Sequence, residues 1–165
     1  MNSLSLRTIP ISWDDLLNSY QGAPAGDPLA APYLDTDSGE ITCRMLMDDT
    51  DAKDKIENGR ILLLPTKDGV AGFEQRVRFV DSLCDEALAK RLKNALGSPT
   101  PFHTYDDVLS EVPVESARWR EVEYSTDIRT LCGWLSRAGL EPDPPPRITR
   151  KIIEFPKSAV RNVPE

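Results

Sequence analysis

Near the C-terminal end, Val114, Ala117, Glu121, Tyr124, Ile128, Leu131, Leu135 and Ala138 recur at alternating three- and four-residue steps. Side chains at that spacing share one face of an α-helix. All but Glu121 are apolar or aromatic. The register lasts about seven turns, so the chain must fold around one long helix, expected from about Val114 to Ala138 with Gly139 as its C-cap. Trp119 and Val122 lie on nearly the opposite side. They imply either a second buried face or a contact surface. A buried carboxylate must pair or protonate, so Glu121 is expected to meet Arg118 or another cation. Its functional alternative is a carboxylate of raised pKa in a cleft.

A second stripe, Phe73, Val77, Val80, Cys84, Leu88, Leu92 and Ala95, ends at Gly97. Ser82 and Asp85 permit a break near Asp85, giving two shorter helices. Phe102, Tyr105, Val108, Leu109 and Val112 predict another helix, closed by Pro113. At the front, residues 1–11 read as a loose lead-in. Ser12 then caps a short helix to about Tyr20, with Asp15 three residues on as the capping-box acid. Residues 21–32, rich in proline, glycine and alanine, read as a loop.

The strand signals are weaker. Ile41, Cys43 and Met45 alternate with Glu40, Thr42 and Arg44, as in a half-buried strand. Tyr33-Leu34-Asp35 precedes them, and Gly39 supplies the positive φ of a tight turn. The segment reads as a β-hairpin. Residues 48–55 read as a charged, solvated connection, and residues 60–65 as a third strand stopped by Pro65. The fold class is α+β: a small antiparallel sheet packed with three to five helices. Residues 1–142 form one domain. Residues 143–165 form a proline-rich linker and a basic, apolar arm.

The chain is long enough for one ordinary core at 165 residues, 39% hydrophobic and 28% charged. Its net charge of −7 argues against a general nucleic-acid binder, which needs a basic face to displace counterions. Residues 1–60 hold eleven acids against five bases, so the excess sits at the front. Cys43, Cys84 and Cys132 are too few and too scattered for a disulfide framework or a zinc site, and read as buried thiols in a reducing cytosol. No leader-like or membrane-length apolar run occurs. The expected compartment is the cytoplasm.

Several motifs between Tyr33 and Pro142, with Ile11-Ser12-Trp13-Asp14-Asp15-Leu16 before them, carry a family resemblance. They are Tyr33-Leu34-Asp35 with Gly39-Glu40-Ile41, Leu64-Pro65, Phe79 with Asp85 and Leu88, and Ala95-Leu96-Gly97. Phe102, Tyr105, Asp107-Val108-Leu109, Arg118-Trp119, and Trp134-Leu135 before Gly139-Leu140-Glu141-Pro142 follow. The pattern resembles UPF0158, an uncharacterised bacterial family. The resemblance implies a cytoplasmic bacterial protein without an assigned activity. The family's glycine- and arginine-rich turn is replaced here by residues 97–105, which hold no arginine. No anion-binding role carries over to that turn, and the chain from Asp143 onward lies outside the resemblance.

Candidate sites compete with plainer readings. The segment from Asp35 to Gly39 looks like the opening of a calcium loop, but glycine falls at position 5 and Leu46 at position 12, so a hairpin turn is the better reading. Asp48, Asp49, Asp51 and Asp54 are weak candidates for a divalent cation, outweighed by a solvated charge run. His103, the sole histidine, is the default general base of a small hydrolase, with Asp106, Asp107 or a cysteine assisting. No nucleophile motif accompanies it, and a surface or capping role is the plainer reading. No phosphate-cradling glycine pattern occurs, and no cofactor is expected.

The function that these residues favour is a non-catalytic acidic module binding a protein partner, itself basic. The expected contact residues are Trp119, Val122 and Arg118 on the long helix, with Ile152 and Phe155 on the arm. For Trp119 the competing reading is a core position. The arm can add to a sheet edge, its own or a partner's. Neither nucleic acid nor membrane is an expected partner, and self-association is left open.

Overall fold

A computed structural model describes residues 5–22 and 27–147. They fall into two compact units. One comprises residues up to 68 together with 126–147, the other residues 69–125.

The first unit opens with strand β1 (Arg7–Pro10), where sequence suggested a loose lead-in. Helix α1 (Trp13–Gln21) follows, and the Ser12 side chain accepts from the Asp15 amide, as the capping pattern requires. Leu16, Leu17 and Tyr20 form its buried face. Strands β2 (Pro32–Asp35) and β3 (Ile41–Cys43) make the expected antiparallel hairpin, with Tyr33 opposite Thr42. Gly39 has φ +74°, and a Cβ there would overlap the Pro10 carbonyl oxygen. Both the turn and this close approach therefore require glycine.

The alternation expected to continue through Met45 stops at Cys43. Arg44–Leu46 turns into a 3-10 helix, leaving Met45 66% and Leu46 78% exposed. Residues expected to form a solvated connection instead form α2 (Asp49–Glu57). Asp48 caps it by accepting from the Thr50 amide, and Ala52 is its only buried residue. Strand β4 (Ile61–Leu63) is the third strand, so the sheet order is β3-β2-β4.

The second unit holds α3 (Gly69–Asp81), α4 (Glu86–Leu96) and α5 (Pro101–Ser110). The break falls where expected: the Asp85 carboxylate accepts from the Leu88 amide and caps α4. Phe79, Val80, Leu88, Leu92, Tyr105, Leu109 and Trp119 are central to its core.

Helix α6 (Pro113–Arg137) begins at a proline, whose missing N–H costs nothing in a first turn. It gives residues 113–125 to the second unit and 126–137 to the first. Its expected stripe holds only in the later half, where Ile128, Leu131 and Leu135 are fully buried. In the earlier half the buried residues are Trp119 and Ser125, while Val114 is 78% exposed and Glu121 is exposed. The carboxylate that looked anomalous on an apolar stripe therefore stands in solvent.

After Gly139 (φ +74°), strand β5 (Leu140–Asp143) pairs in parallel with β1, Arg7 opposite Leu140 and Pro10 opposite Asp143. The architecture is α+β, with six α-helices among the described residues. No described helix is long and apolar enough to cross a membrane.

Leu131 has no exposed surface, so Leu131→Ala should cost about 2–5 kcal/mol through lost burial and the cavity left behind. Urea unfolding followed by circular dichroism measures it.

Candidate functional site

In the first unit, α1 and the hairpin border an open cleft of about 470 Å³ lined by Asp15, Asn18, Ser19, Glu40 and Ile41. Asp15, Asn18 and Ser19 stand at i, i+3 and i+4, so the helix presents them on one face. Opposite that face, β2 pairs with β3 on one side, and β3 ends the sheet among the described residues. β3 has no second strand neighbour among the described residues, and an edge of that kind can pair with an added strand. Past β3 the exposed side chains of Met45 and Leu46 continue the surface, and the Met45 amide donates to the Leu29 carbonyl (3.2 Å). Two carboxylates, an amide, a hydroxyl and an open strand edge can hold an extended cationic segment.

The same unit contains a buried polar cluster. Asp127 Oδ2 accepts from Gln21 Nε2 at 2.8 Å and from Lys67 Nζ at 3.1 Å. The Asp127 side chain is 3% exposed and that of Lys67 is 11%. Burial raises the Tyr20 hydroxyl pKa; Asp127 raises it further, and Lys67 opposes. An acid and a base so enclosed hold structure together rather than meet substrate.

The hairpin turn uses its acid internally. Asp35 Oδ1 accepts from the amides of Asp37 (2.9 Å) and Ser38 (3.2 Å), and Arg60 Nε lies 3.6 Å away. Burial alone would raise the Asp35 pKa. The two amides and Arg60 outweigh it, and the carboxyl sits below its ordinary value. The geometry is an Asx-type turn, and this oxygen is already spent on the backbone.

In the second unit, Trp119 is 4% exposed and meets Phe79 and Tyr105 edge-on, with ring centroids 5.3 and 5.5 Å away. It anchors a core and is not open to a partner; a tryptophan off the main stripe here marks a second buried face. Val122 is half-buried against the same core. Arg118 pairs with Glu115 Oε2 at 2.7 Å, not with Glu121, and its guanidinium covers the Phe79 ring at 4.7 Å.

Beside Trp119 lies Arg76, 8% exposed. Its guanidinium is 4.2 Å from the Phe102 ring centre, 5.3 Å from that of Tyr105 and 5.2 Å from that of Trp119. One nitrogen donates to the Gly72 carbonyl at 3.1 Å, and another lies 3.9 Å from Asp106. The faces of three rings thus hold a charge that water would otherwise solvate. Burial raises the Asp106 pKa, and Arg76 opposes that rise. The Tyr105 hydroxyl, also raised by burial, has no hydrogen-bond partner among the described residues.

His103 is 80% exposed, 3.4 Å from Asp107 on its own helix. That is the surface role its neighbours suggested. Cys84 is exposed, while Cys43 and Cys132 are half-buried. The expectation of three buried thiols therefore fails at Cys84, which sits in the turn between α3 and α4. Burial raises the Cys132 pKa.

Asp48 caps α2, Asp51 pairs with Lys55 at 2.7 Å, and Asp49 lies 4.0 Å from Arg44. Asp54 stands on the same helix, exposed. Among the described residues no group of three or more His, Cys, Asp or Glu could hold a metal ion. Ile152 and Phe155 lie outside the described residues.

Neither the cleft nor Asp127 was singled out from sequence. Asp15 reads there as a capping-box acid and Glu40 as a strand residue on the face opposite Ile41. The one available signal was the polar i, i+3, i+4 face of α1. No family model, curated protein or solved structure matches the chain.

Two outcomes follow. Asp127→Ala leaves a nearly buried lysine beside an empty site and should destabilise the protein by about 3–5 kcal/mol in urea unfolding. Asp35 has a folded pKa below its unfolded one, so its contribution is full above about pH 4 and vanishes as pH falls through the folded value. The stability difference between wild type and Asp35→Ala should therefore be level near neutrality and shrink on acidification. A difference constant down to about pH 2 would show that the carboxylate's charge is not involved.

Proposed function

We infer that this protein is a non-catalytic interaction module whose α1–β3 cleft receives a basic, extended segment of a protein partner. The observation that carries this reading is the cleft itself: Asp15 and Glu40 flank an open strand edge. Backbone pairing along an edge supplies affinity without regard to sequence, and the flanking carboxylates select for Lys or Arg. The acidic excess of residues 1–60 supports the same partner, because it steers a cationic chain toward this part of the surface. Trp119 serves the reading indirectly, as a core residue.

The test is affinity purification of the tagged protein from its host beside an Asp15→Lys/Glu40→Lys variant, read by mass spectrometry. Both positions are exposed, so the variant should keep the wild-type circular dichroism spectrum. A stoichiometric partner held by the wild type, lost from the variant and released by added salt is the expected result. A partner retained equally by both proteins would refute the assignment of the cleft.

A further inference from the structure

Strand β3 alternates along its free side. The Asp35 amide donates to the Glu40 carbonyl at 2.9 Å, so Glu40 bonds toward β2. In an antiparallel ladder the bonded residues alternate. Thr42 therefore also bonds toward β2, while the backbone groups of Ile41 and Cys43 point away from it. Cys43 is extended (φ −142°, ψ 162°), so the Cα of Arg44 still lies on the line of the strand before the chain turns. Side chains alternate across a sheet, which puts Glu40, Thr42 and Arg44 on one face. The edge without a strand neighbour thus runs acid, threonine, base, with the outward backbone of Ile41 and Cys43 between them.

That order is its own complement. Laid antiparallel to a second copy with Thr42 opposite Thr42, each Ile41 meets the second copy's Cys43, and each Glu40 meets the second copy's Arg44. The first match gives about four backbone hydrogen bonds across the edge, and the second gives an acid–base pair on either side of the centre. Both charges are available for it. Neither Glu40 nor Asp15, which shares the cleft with it, has an ion pair among the described residues. Arg44 lies 4.0 Å from Asp49, beyond hydrogen-bond reach, and its Nε has no hydrogen-bond partner among the described residues. Past Arg44, the exposed Met45 and Leu46 run toward the second copy's Glu40 and Gly39.

We propose that two copies of this protein associate through the β3 edge, antiparallel about a twofold axis at Thr42, with Glu40 of each against Arg44 of the other. A twofold contact closes on itself and leaves no β3 edge open to a third copy. Short strands bury little area, so the dimer is reversible, with a dissociation constant on the order of micromolar or weaker. It uses the same edge as the basic partner proposed above, and the two occupants exclude each other. The dimer does not depend on that partner. It covers the edge when the partner is absent and has to part before the partner binds.

Sedimentation velocity of the full-length protein over a rising concentration tests it. The average mass of the wild type should climb from one copy toward two. Glu40→Arg sets arginine against Arg44, and Arg44→Glu sets glutamate against Glu40. Each variant alone should stay monomeric at the concentration where half of the wild type is paired. Mixed in equal amounts, the two variants oppose only unlike charges, and a heterodimer should form, which a damaged fold in either would not allow. Thr42→Cys in a Cys84→Ser background reads the register. Residues directly opposite in a non-hydrogen-bonded pair have Cα atoms about 4.5 Å apart, within disulfide range, so mild oxidation should link two copies through position 42. The two Cys43 residues would lie diagonally, about 7–8 Å apart, too far to bridge in its place. A wild type that stays monomeric throughout, pairing undiminished in Glu40→Arg, or no link through position 42 would overturn the proposal.

The two readings fail separately. A monomeric wild type that still captures a cleft-dependent partner removes only the dimer. A dimer with no partner captured, even by the monomeric Arg44→Glu variant whose cleft residues are unchanged, removes only the external partner.

Discussion

The first unit depends on one pairing of distant segments. β1 and β5 lie at opposite ends of the described chain and meet in parallel over four residues each. Parallel strands cannot be joined by a tight turn, and contacts this far apart in sequence form against a large loss of chain entropy. Two side-chain devices assist: the indole of Trp13 holds the Pro144 carbonyl, and Arg7 donates to the Thr36 carbonyl at 2.9 Å. The first ties the end of the ribbon to α1, the second ties its start to the hairpin turn. Without this ribbon Gly39 would lose the Pro10 backbone it lies against, and Trp13 the carbonyl it donates to.

The two units solve the burial of charge differently. Asp127 is paired with a lysine and hydrogen-bonded by an amide. Arg76 has a carboxylate only at 3.9 Å and relies on ring faces, and its Nε has no hydrogen-bond partner among the described residues. Buried ion pairs add little over well-packed apolar residues but are costly to break. The Asp127 cluster therefore acts more as a constraint on which arrangement is allowed than as a source of stability. The Arg76 arrangement depends on the aromatic rings around it in the same way.

Local signals were legible in the sequence wherever a short-range rule applied. The Ser12 cap, the glycine turn at Gly39 and the break near Asp85 that divides α3 from α4 all follow from residues within one turn of each other. What escaped had a non-local cause. β1 and β5 are too short to show a period, and β5 contains Pro142; only their mutual pairing makes them strands. α2 carries four acids and one buried alanine, so its pattern resembles a solvated run although Asp48 caps it. The apolar stripe of α6 was continuous on paper, yet its two halves belong to different units and bury different faces. Trp119 looked surplus only because one continuous face was assumed. The cleft joins residues of α1 to residues of the hairpin more than twenty positions later, and no spacing rule spans that gap.

The direction of the β1–β5 ribbon has a practical side. Arg7 lies opposite Leu140 and Pro10 opposite Asp143, so the chain enters the ribbon at one end and leaves at the other. Four residues of strand separate the two ends by about 13 Å. β1 starts at the end of the ribbon away from the Pro10–Gly39 contact, and so away from Glu40. β5 finishes at the other end, where Trp13 Nε1 holds the Pro144 carbonyl beside the first turn of α1. The two ends of the ribbon are therefore not equivalent, and a change at the Pro10–Asp143 end reaches the elements that line the acidic cleft sooner than one at the Arg7–Leu140 end.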